Sequence, residues 1–525
     1  YKDGQGGAPD YMVGPRSTPA AADLDGDGKI EIVTAARAGG AIAFDASGKF
    51  LWRSTRKDGT TPYAGVFASS TAAIADLDGD GKAEIAIGGV IFDHLGRLTS
   101  DSHIGRERCG ANVATYGPVS IIADVDGKSA TSEQYVVCGN RAIRRDGTLL
   151  WDVSTTLTDG YPAVADFDGD GTPELVVIAQ GTVRVQNATT GALLADLTMP
   201  GTGKGGPPTV ADFDNDGKLE IASANGTSYN VFDYDPATKK LSVLWSKPTQ
   251  DGSSNVTGSS VFDFEGDGAA EVVYSDECYS RVYSGVNGKI LWEVQNSSST
   301  IHEYPVLVDV DGDNNTEYVV VANNAGSIVC SPPTGGTYTK RTGVFVYGDT
   351  HDRWVRTRRI WNQHAYHVTN VTASGGIPKS EPLSWGPKGT NTYRVSTQGN
   401  GVFNAPDLAV DLEISTKGCP TALTLRARVK NIGSLGVPAG VEVVFYRGAD
   451  ASGSQMGKGL TKGALLPGQT EVVELQANIV GQTPPFSFFV TVDGGSSQSN
   501  AGTVVECREG NNESGASGVR CWGID

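Results

Sequence analysis

An aspartate-rich loop that runs straight into a short apolar strand recurs seven times between Asp23 and Glu317, as in Asp23-Leu-Asp25-Gly-Asp27-Gly-Lys-Ile-Glu31-Ile-Val. A chain that repeats one small unit this often is constrained to stack the copies, because a single unit cannot bury its own apolar face. The loops begin at Asp23, Asp76, Asp124, Asp166, Asp212, Asp263 and Asp309, at intervals of 53, 48, 42, 46, 51 and 46 residues. A period of about 48 residues suits four short strands, the content of one propeller blade.

Carboxylates at relative positions 1, 3 and 5 of a tight loop, with Gly at position 6, let oxygens converge on one hard cation, and Ca2+ favours a cage of about 6–8 oxygens. An EF-hand would close such a cage with Glu at position 12, but the six full loops place Thr34, Ile87, Val177, Ser223, Tyr274 and Val320 there. The acid falls instead at position 9, directly before an apolar run such as Leu175-Val-Val-Ile, so each loop opens a strand and not a helix. The expected ligand sets are Asp23, Asp25, Asp27 and Glu31; Asp76, Asp78, Asp80 and Glu84; Asp166, Asp168, Asp170 and Glu174; Asp212, Asp214, Asp216 and Glu220; Asp263, Glu265, Asp267 and Glu271; and Asp309, Asp311, Asp313 and Glu317. Crowding these carboxylates without a counter-ion is unfavourable by like-charge repulsion, so about six structural Ca2+ sites are predicted. The plainer alternative is a set of Asp-Gly turns joining strands.

Three loops depart from the pattern. The third, Asp124-Val-Asp126-Gly-Lys128, has Lys in place of the third Asp and Glu133 one place too far along, so no Ca2+ is expected there. The sixth has Glu265 for the second Asp and the seventh has Asn314 for the Gly, which leaves the first, second, fourth and fifth loops closest to the ideal.

With 525 residues the chain exceeds the size at which single cores stop growing, and 69 Gly with only 19% charged residues points to many turns and short strands in an all-β protein. The net charge of -18 argues against nucleic acid as a partner. No apolar run is long enough to cross a membrane as a helix, and the opening Tyr1-Lys-Asp-Gly lacks the apolar core of a signal peptide, as expected of a processed, exported chain. The cysteines show no CxxC or zinc-type spacing, which favours disulfides and export. Proximity in the repeat array pairs Cys109 with Cys138 and Cys278 with Cys330, and leaves Cys419 with either Cys507 or Cys521.

Within a unit a small-residue strand such as Tyr161-Pro-Ala-Val-Ala precedes the loop, and two more strands around a Gly turn complete it. The second half recurs as Gly48-Lys-Phe-Leu-Trp52, Gly147-Thr-Leu-Leu-Trp151 and Gly288-Lys-Ile-Leu-Trp292, with Leu244-Trp245 a variant, and the Trp is expected to pack between neighbouring blades. Seven four-stranded blades can close into a ring that leaves only short edges. Closure predicts that residues 1–20 pair with the last blade, which Gly343-Val-Phe-Val-Tyr347 and Trp354-Val-Arg-Thr would finish. The propeller is assigned to 1–404, its closing segment to about 350–404.

Units such as Ala165-Asp-Phe-Asp-Gly-Asp-Gly-Thr-Pro-Glu-Leu-Val-Val resemble FG-GAP/VCBS repeats, familiar from integrin α-subunit propellers and secreted bacterial proteins. The resemblance implies that the three Asp, the carbonyl at position 7 and the acid at position 9 hold Ca2+. Beyond Asn404-Ala-Pro406 the loops give way to alternating strands, Leu408-Ala-Val-Asp-Leu-Glu-Ile, Leu423-Thr-Leu-Arg-Ala-Arg-Val, Val441-Glu-Val-Val-Phe-Tyr and Ser487-Phe-Phe-Val-Thr-Val, which suggest an Ig-like sandwich over 405–525. Val429-Lys-Asn-Ile-Gly433, Leu466-Pro-Gly468 and Val505-Glu-Cys-Arg-Glu-Gly-Asn-Asn512 resemble the cell-adhesion-related CARDB domain, which implies an extracellular adhesion module or a spacer.

Between the two regions lies His351-Asp-Arg353-Trp-Val-Arg356-Thr-Arg358-Arg359-Ile-Trp361-Asn-Gln-His364-Ala-Tyr-His367, which is similar to a stretch of secreted propeller proteins of myxobacterial type. One reading makes Arg353, Arg356, Arg358, Trp361, His364 and His367 a site for an anionic ligand, with Arg as forked donors and His as acid and base. The other makes the segment a belt that seals the propeller. The leading functional expectation is a secreted or cell-surface calcium-binding propeller protein with an adhesive, ligand-binding or structural role, its partners a glycan or a protein surface. No GxSxG, HExxH or P-loop motif is present. The rival is a polysaccharide lyase or hydrolase using the Arg/His segment. A quinone-dependent dehydrogenase, suggested by the resemblance of Gly288-Lys-Ile-Leu-Trp292 to the tryptophan repeat of such propellers, fits acidic loops in every blade poorly.

Overall fold

The computed structural model describes residues 12–67, 69–126, 133–312, 315–332, 336–350, 354–385, 393–396, 406–433, 436–494, 504 and 511–521. Seven antiparallel sheets succeed one another from Ala20 to Tyr347, each with its strands in chain order. The fourth, for example, holds Tyr161–Ala165, Glu174–Ala179, Thr182–Asn187 and Leu193–Thr198, and the second and seventh sheets have three strands each. The first strands, Ala20–Ala22, Ala72–Ala75, Ile121–Ala123, Tyr161–Ala165, Thr209–Ala211, Ser259–Phe262 and Val306–Val308, pack each beside the next. They are rich in small and β-branched residues and largely buried, as inner strands of a crowded propeller-like array must be. In six sheets the second strand starts at the position-9 glutamate, Glu31, Glu84, Glu174, Glu220, Glu271 or Glu317. The acidic loop is therefore the hairpin connection between the first two strands.

The repeated tryptophans sit at the end of one sheet and press on the next. Trp52 lies against Gly96, Trp151 against Gly191 and Trp245 against Gly288, each so closely that a Cβ on the glycine would overlap the indole. Trp151 and Trp245 also donate Nε1–H to the carbonyls of Ala188 and Gly285, at 2.8 and 2.5 Å. Trp292 instead meets the rings of Tyr318 and Tyr347 in the seventh sheet, at centroid distances of 5.0 and 5.1 Å.

Two expectations about the ends of this array do not hold. Val13 bridges to Ala36 of the first sheet and Thr18 to Thr71 beside the second, so the described part of residues 1–20 does not complete the last sheet. Gly343–Tyr347 does join the seventh sheet, but Trp354–Thr357 leaves it, with Val355 N–H bonded to the Phe264 carbonyl at 3.1 Å. The physical reason is that residues 354–396 satisfy inner-strand groups that would otherwise be buried without partners.

That segment touches nearly every sheet. Ala21 N–H donates to Asn362 O at 2.8 Å and Ile74 N–H to Gln363 Oε1 at 2.7 Å. Trp385 Nε1–H reaches Asp124 O at 2.6 Å, and Tyr393 Oη–H reaches Ile122 O at 2.9 Å. Arg394 Nη1–H reaches Pro208 O at 2.7 Å, Val395 bridges to Val261, and Asp309 N–H donates to Arg358 O at 3.2 Å. Ala365, Trp385 and Tyr393 share one apolar cluster with Ala163 and Val164 of the fourth sheet.

The C-terminal part is a sandwich of a three-stranded sheet, Leu408–Ser415, Ala422–Asn431 and Thr470–Asn478, and a four-stranded one of Ser454–Leu460, Glu442–Arg447, Phe486–Val492 and Glu513–Val519. Both sheets feed one core that includes Leu425, Val443, Phe445, Phe488 and Val490. Gly436 approaches the carbonyl of Glu265 in the sixth acidic loop so closely that a Cβ would collide with it. Disulfides join Cys109 to Cys138, Cys278 to Cys330 and Cys419 to Cys521; Cys507 lies outside the described residues. Among the described residues no helix is long and apolar enough to cross a membrane.

Candidate metal centres and the central segment

The acidic loops are built by their own backbone. The position-1 Asp takes N–H groups from positions 4 and 6: Gly26 and Gly28 donate to Asp23 at 2.8 and 2.9 Å, and Gly169 and Gly171 donate to Asp166 at 2.8 and 2.9 Å. These glycines hold positive φ, 80° and 84° in the first loop and 69° and 81° in the fourth, a conformation that a side chain disfavours. One oxygen of the position-9 glutamate accepts the position-2 N–H in all six full loops: Leu24, Leu77, Phe167, Phe213, Phe264 and Val310 donate to Glu31, Glu84, Glu174, Glu220, Glu271 and Glu317 at 2.7–3.1 Å. In the second, fourth, fifth and sixth loops the glutamate also brings a carboxylate oxygen into the acidic group.

Among the described residues, groups of acidic side chains converge within 4.8 Å at several loops, among them Asp23, Asp25 and Asp27; Asp76, Asp78 and Glu84; Asp166, Asp168 and Glu174; Asp212, Asp214 and Glu220; Asp263, Glu265 and Glu271. Ligand oxygens on opposite sides of one Ca2+ lie about 4.6–5.2 Å apart, so the spacing suits that ion. The groups also need a counter-charge. Burial pushes Glu84 and Glu174 up to about 7 and Glu220 up to about 8, and in each loop the neighbouring aspartates raise the glutamate further. Asp212 Oδ1 is buried without a hydrogen-bond partner.

At position 5, Asp27, Asp80, Asp170, Asp216 and Asp267 all accept the N–H two residues on, at 2.7–3.0 Å, and of these Asp27 also belongs to its loop's compact group. Lys218 Nζ holds Asp216 Oδ2 at 2.6 Å in the same way. Glu31, conversely, stands outside the first group. In the third loop Glu133 is taken up by Tyr135 Oη at 2.6 Å and Arg144 Nε at 3.3 Å. In the seventh, Asp313 lies outside the described residues, Gly312 N–H donates to Asp309 at 2.6 Å, and Arg359 Nε stands 4.0 Å from the same carboxylate. Neighbouring loops are stitched on one face, with Ala83 N–H to Leu24 O at 2.9 Å and Ala270 N–H to Asp212 O at 3.0 Å.

Sequence inspection missed two participants. Arg145 places Nη2 3.0 Å from Asp78 and Nε 3.0 Å from Glu84, so the second loop already holds a guanidinium. Asp233 lines, with Asp168, Asp214, Asp216, Asp235 and Phe167, a cleft of about 1480 Å³ between the fourth and fifth loops. Neither residue carries a motif; Asp233 arrives opposite Glu220 by strand pairing, and Arg145 comes from the turn after Arg141–Ile143 of the next sheet.

The Arg/His segment is largely interior. His364 and His367 are buried, with Nε2 of His364 at 2.9 Å from His302 O and Nε2 of His367 at 2.5 Å from Glu381 Oε1. Burial alone would raise Glu381, but His367 holds it below the ordinary carboxylate range. Arg358 donates to the carbonyls of Val368 and Val371 at 2.7 and 2.6 Å, and Trp361 stacks on Tyr366 at 4.6 Å. Arg356 is described and partnered; Arg353 lies outside the described residues.

A family model described as FG-GAP-like repeat matches residues 23–87, 166–223 and 212–274, so the chain carries repeats of that kind. No curated protein matches the chain. Among solved structures, the Vibrio cholerae biofilm matrix protein Bap1 aligns over 73% of this chain and 85% of its own at 20% identity and TM-score 0.59, which shows a shared fold. A CARDB domain from Pyrococcus furiosus, solved with di-metal ions, covers 23% of this chain and 91% of its own at 25% identity and TM-score 0.18. The exotype rhamnogalacturonan lyase YesX aligns over 82% of this chain and 67% of its own at 17% identity and TM-score 0.23, too low to inform chemistry.

Proposed function

We propose that this chain, which carries FG-GAP-like repeats, is an extracellular calcium-stabilised propeller protein with an adhesive or matrix-structural role. The observation that carries the reading is the recurrence of a built carboxylate group, three acidic residues within 4.8 Å, in at least five of the seven sheets. Structural Ca2+ would be held by the position-1 and position-3 residues with the acid at position 9, or with Asp27 in the first loop. Bound ions would remove the repulsion within each group and tie the loop to the strand it opens. Three disulfides and the fold shared with a biofilm matrix protein support an exported location. The acidic cleft on the loop face, with apolar Phe167 and Leu241 in its wall, supports binding of a glycan or protein surface through the rim. The burial of His364 and His367 argues against a lyase or hydrolase that would need them in contact with substrate.

The test is elemental analysis of protein purified without chelator, together with binding to extracellular polysaccharides and to cell-surface protein in Ca2+ and in EDTA. Four to six Ca2+ per chain with calcium-dependent retention is expected. No bound calcium would sink the metal reading, and cleavage of an acidic glycan lost in His364→Ala would restore the enzymatic one.

A further inference from the structure

Arg394 lies beside the inner strands with no exposed surface. Its backbone holds φ at 61°, the left-handed region, which costs a non-glycine residue on the order of 1 kcal/mol or more. Main-chain bonds impose that conformation: Arg394 N–H donates to Tyr366 O at 2.8 Å, and Val261 N–H donates to Arg394 O at 3.1 Å. The fold thus drives a guanidinium inward at a cost to the backbone.

Only one nitrogen of that guanidinium is satisfied by protein among the described residues. Nη1 donates to Pro208 O at 2.7 Å, while Nε and Nη2 are buried without a hydrogen-bond partner. The groups that feel its charge are Tyr304, Tyr393, His302 and His364, none of which is an anion at neutral pH. Further unpartnered groups lie beside it. His364 Nδ1 makes no hydrogen bond, and neither nitrogen of His302 closes one, although the backbone of Val256 and Ser69 is near. The Tyr161 ring stands 5.4 Å from His302, and its hydroxyl is likewise buried and unpartnered. A buried, unpaired charge is among the most unfavourable arrangements in a protein, far costlier than an unpaired hydroxyl.

We propose that Arg394, flanked by His302 and His364, binds a small inorganic monoanion of the chloride type through its free Nε and Nη2 donors. Size follows from enclosure: the three side chains are at most 3% exposed, so neither a polymer nor a protein side chain from outside can reach them. Charge follows from composition, since burial holds both histidines neutral and leaves one fixed positive charge. The site is opposite in sign to the acidic rim and uses none of its residues. Its occupant would pin Arg394 to Pro208 and to the inner strand that carries Val261.

Bromide replaces chloride and scatters anomalously. Crystals of the full chain soaked in sodium bromide, with Ca2+ present, are expected to show one bromine peak at hydrogen-bonding distance from Arg394 Nε or Nη2. At constant ionic strength and calcium, the melting temperature is expected to rise by several degrees as chloride replaces methanesulfonate, and Arg394→Met is expected to abolish that rise. Absence of a halide peak at Arg394, with ordered water in its place, overturns the proposal whatever the melts show, and so does an undiminished chloride response in R394M. If that variant does not fold, the bromide map of the wild-type chain decides alone.

Discussion

The acidic rim and the central segment solve opposite problems. Each rim loop is short in sequence, polar and half exposed, and nearly every contact that shapes it lies within nine residues, as when Asp23 collects the N–H groups of Gly26 and Gly28. The central segment is written once, is buried, and makes contacts that span hundreds of residues, as when Trp385 donates to Asp124 O. The rim concentrates negative charge and the centre holds an unpaired guanidinium. The difference teaches that a repeat array can make its local sites by copying, whereas the space enclosed by the copies has no repeat of its own and must be filled by one unique stretch of chain.

The comparison can be broken at the rim most severely. Chelation of calcium is expected to lower stability by on the order of 10 kcal/mol in all, since each ion at a hundredfold excess over its Kd contributes about 2.7 kcal/mol. Calorimetry in Ca2+ and EDTA checks this, and the gap should widen with pH. In the metal-free protein the glutamates' contribution is full below 4.5 and is lost as pH rises through about 7 for Glu84 and Glu174 and about 8 for Glu220. A gap independent of pH between 5 and 8 would mean that these carboxylates do not face the ion.

At the centre, Trp385→Ala is expected to cost about 3–5 kcal/mol by denaturant unfolding, and equally with and without Ca2+, because the cavity lies in the core and not on the rim. A loss that appears only in EDTA would show that the two regions are one cooperative unit. Smaller effects sharpen the contrast. The second loop already has Arg145 as a counter-charge, so Arg145→Gln is expected to tighten calcium binding by a few fold at that site, read by titration calorimetry against Glu174→Gln as a control that removes a different site. Burial pushes His302 down to about 4 from 6.5, so its contribution to stability is present above pH 6.5 and is lost as pH falls toward 4. His302→Asn should flatten that acid limb in EDTA and Ca2+ alike; an unaltered limb would place the titration elsewhere.

Much of the fold was legible because it is periodic. Position 9 marks the first residue of the second strand in six sheets, and the Gly-x-x-Leu-Trp units identify where sheets meet, since both signals come from contacts within one or two repeats. In the sandwich, Leu408–Ser415 and Ala422–Asn431 alternate cleanly and were readable, but Ser454–Leu460 and Glu513–Val519 are glycine-bearing edge strands with little buried face to announce them. The recurrence of the acidic positions was legible; which of their carboxylates converge depends on side-chain directions that spacing does not fix. Arg145 at the second loop and the approach of His302 to Arg394 left no mark, since their partners come from elsewhere in the chain, and Asp233 left none because it meets the fifth loop only by pairing opposite Glu220.

The sequence alone determined that strands, loops and carboxylate groups would repeat, because spacing within about ten residues sets backbone turns and the convergence of short side chains. Only the tertiary structure decided what the array encloses. Residues 351–367 were readable as chemically dense, but whether their Arg and His would face solvent or the interior depended on which inner-strand N–H and carbonyl groups lacked partners once the sheets had assembled. Burial is a property of the whole packed chain, and for charged side chains it decides whether the same residues act on a ligand from outside or hold the protein together from within.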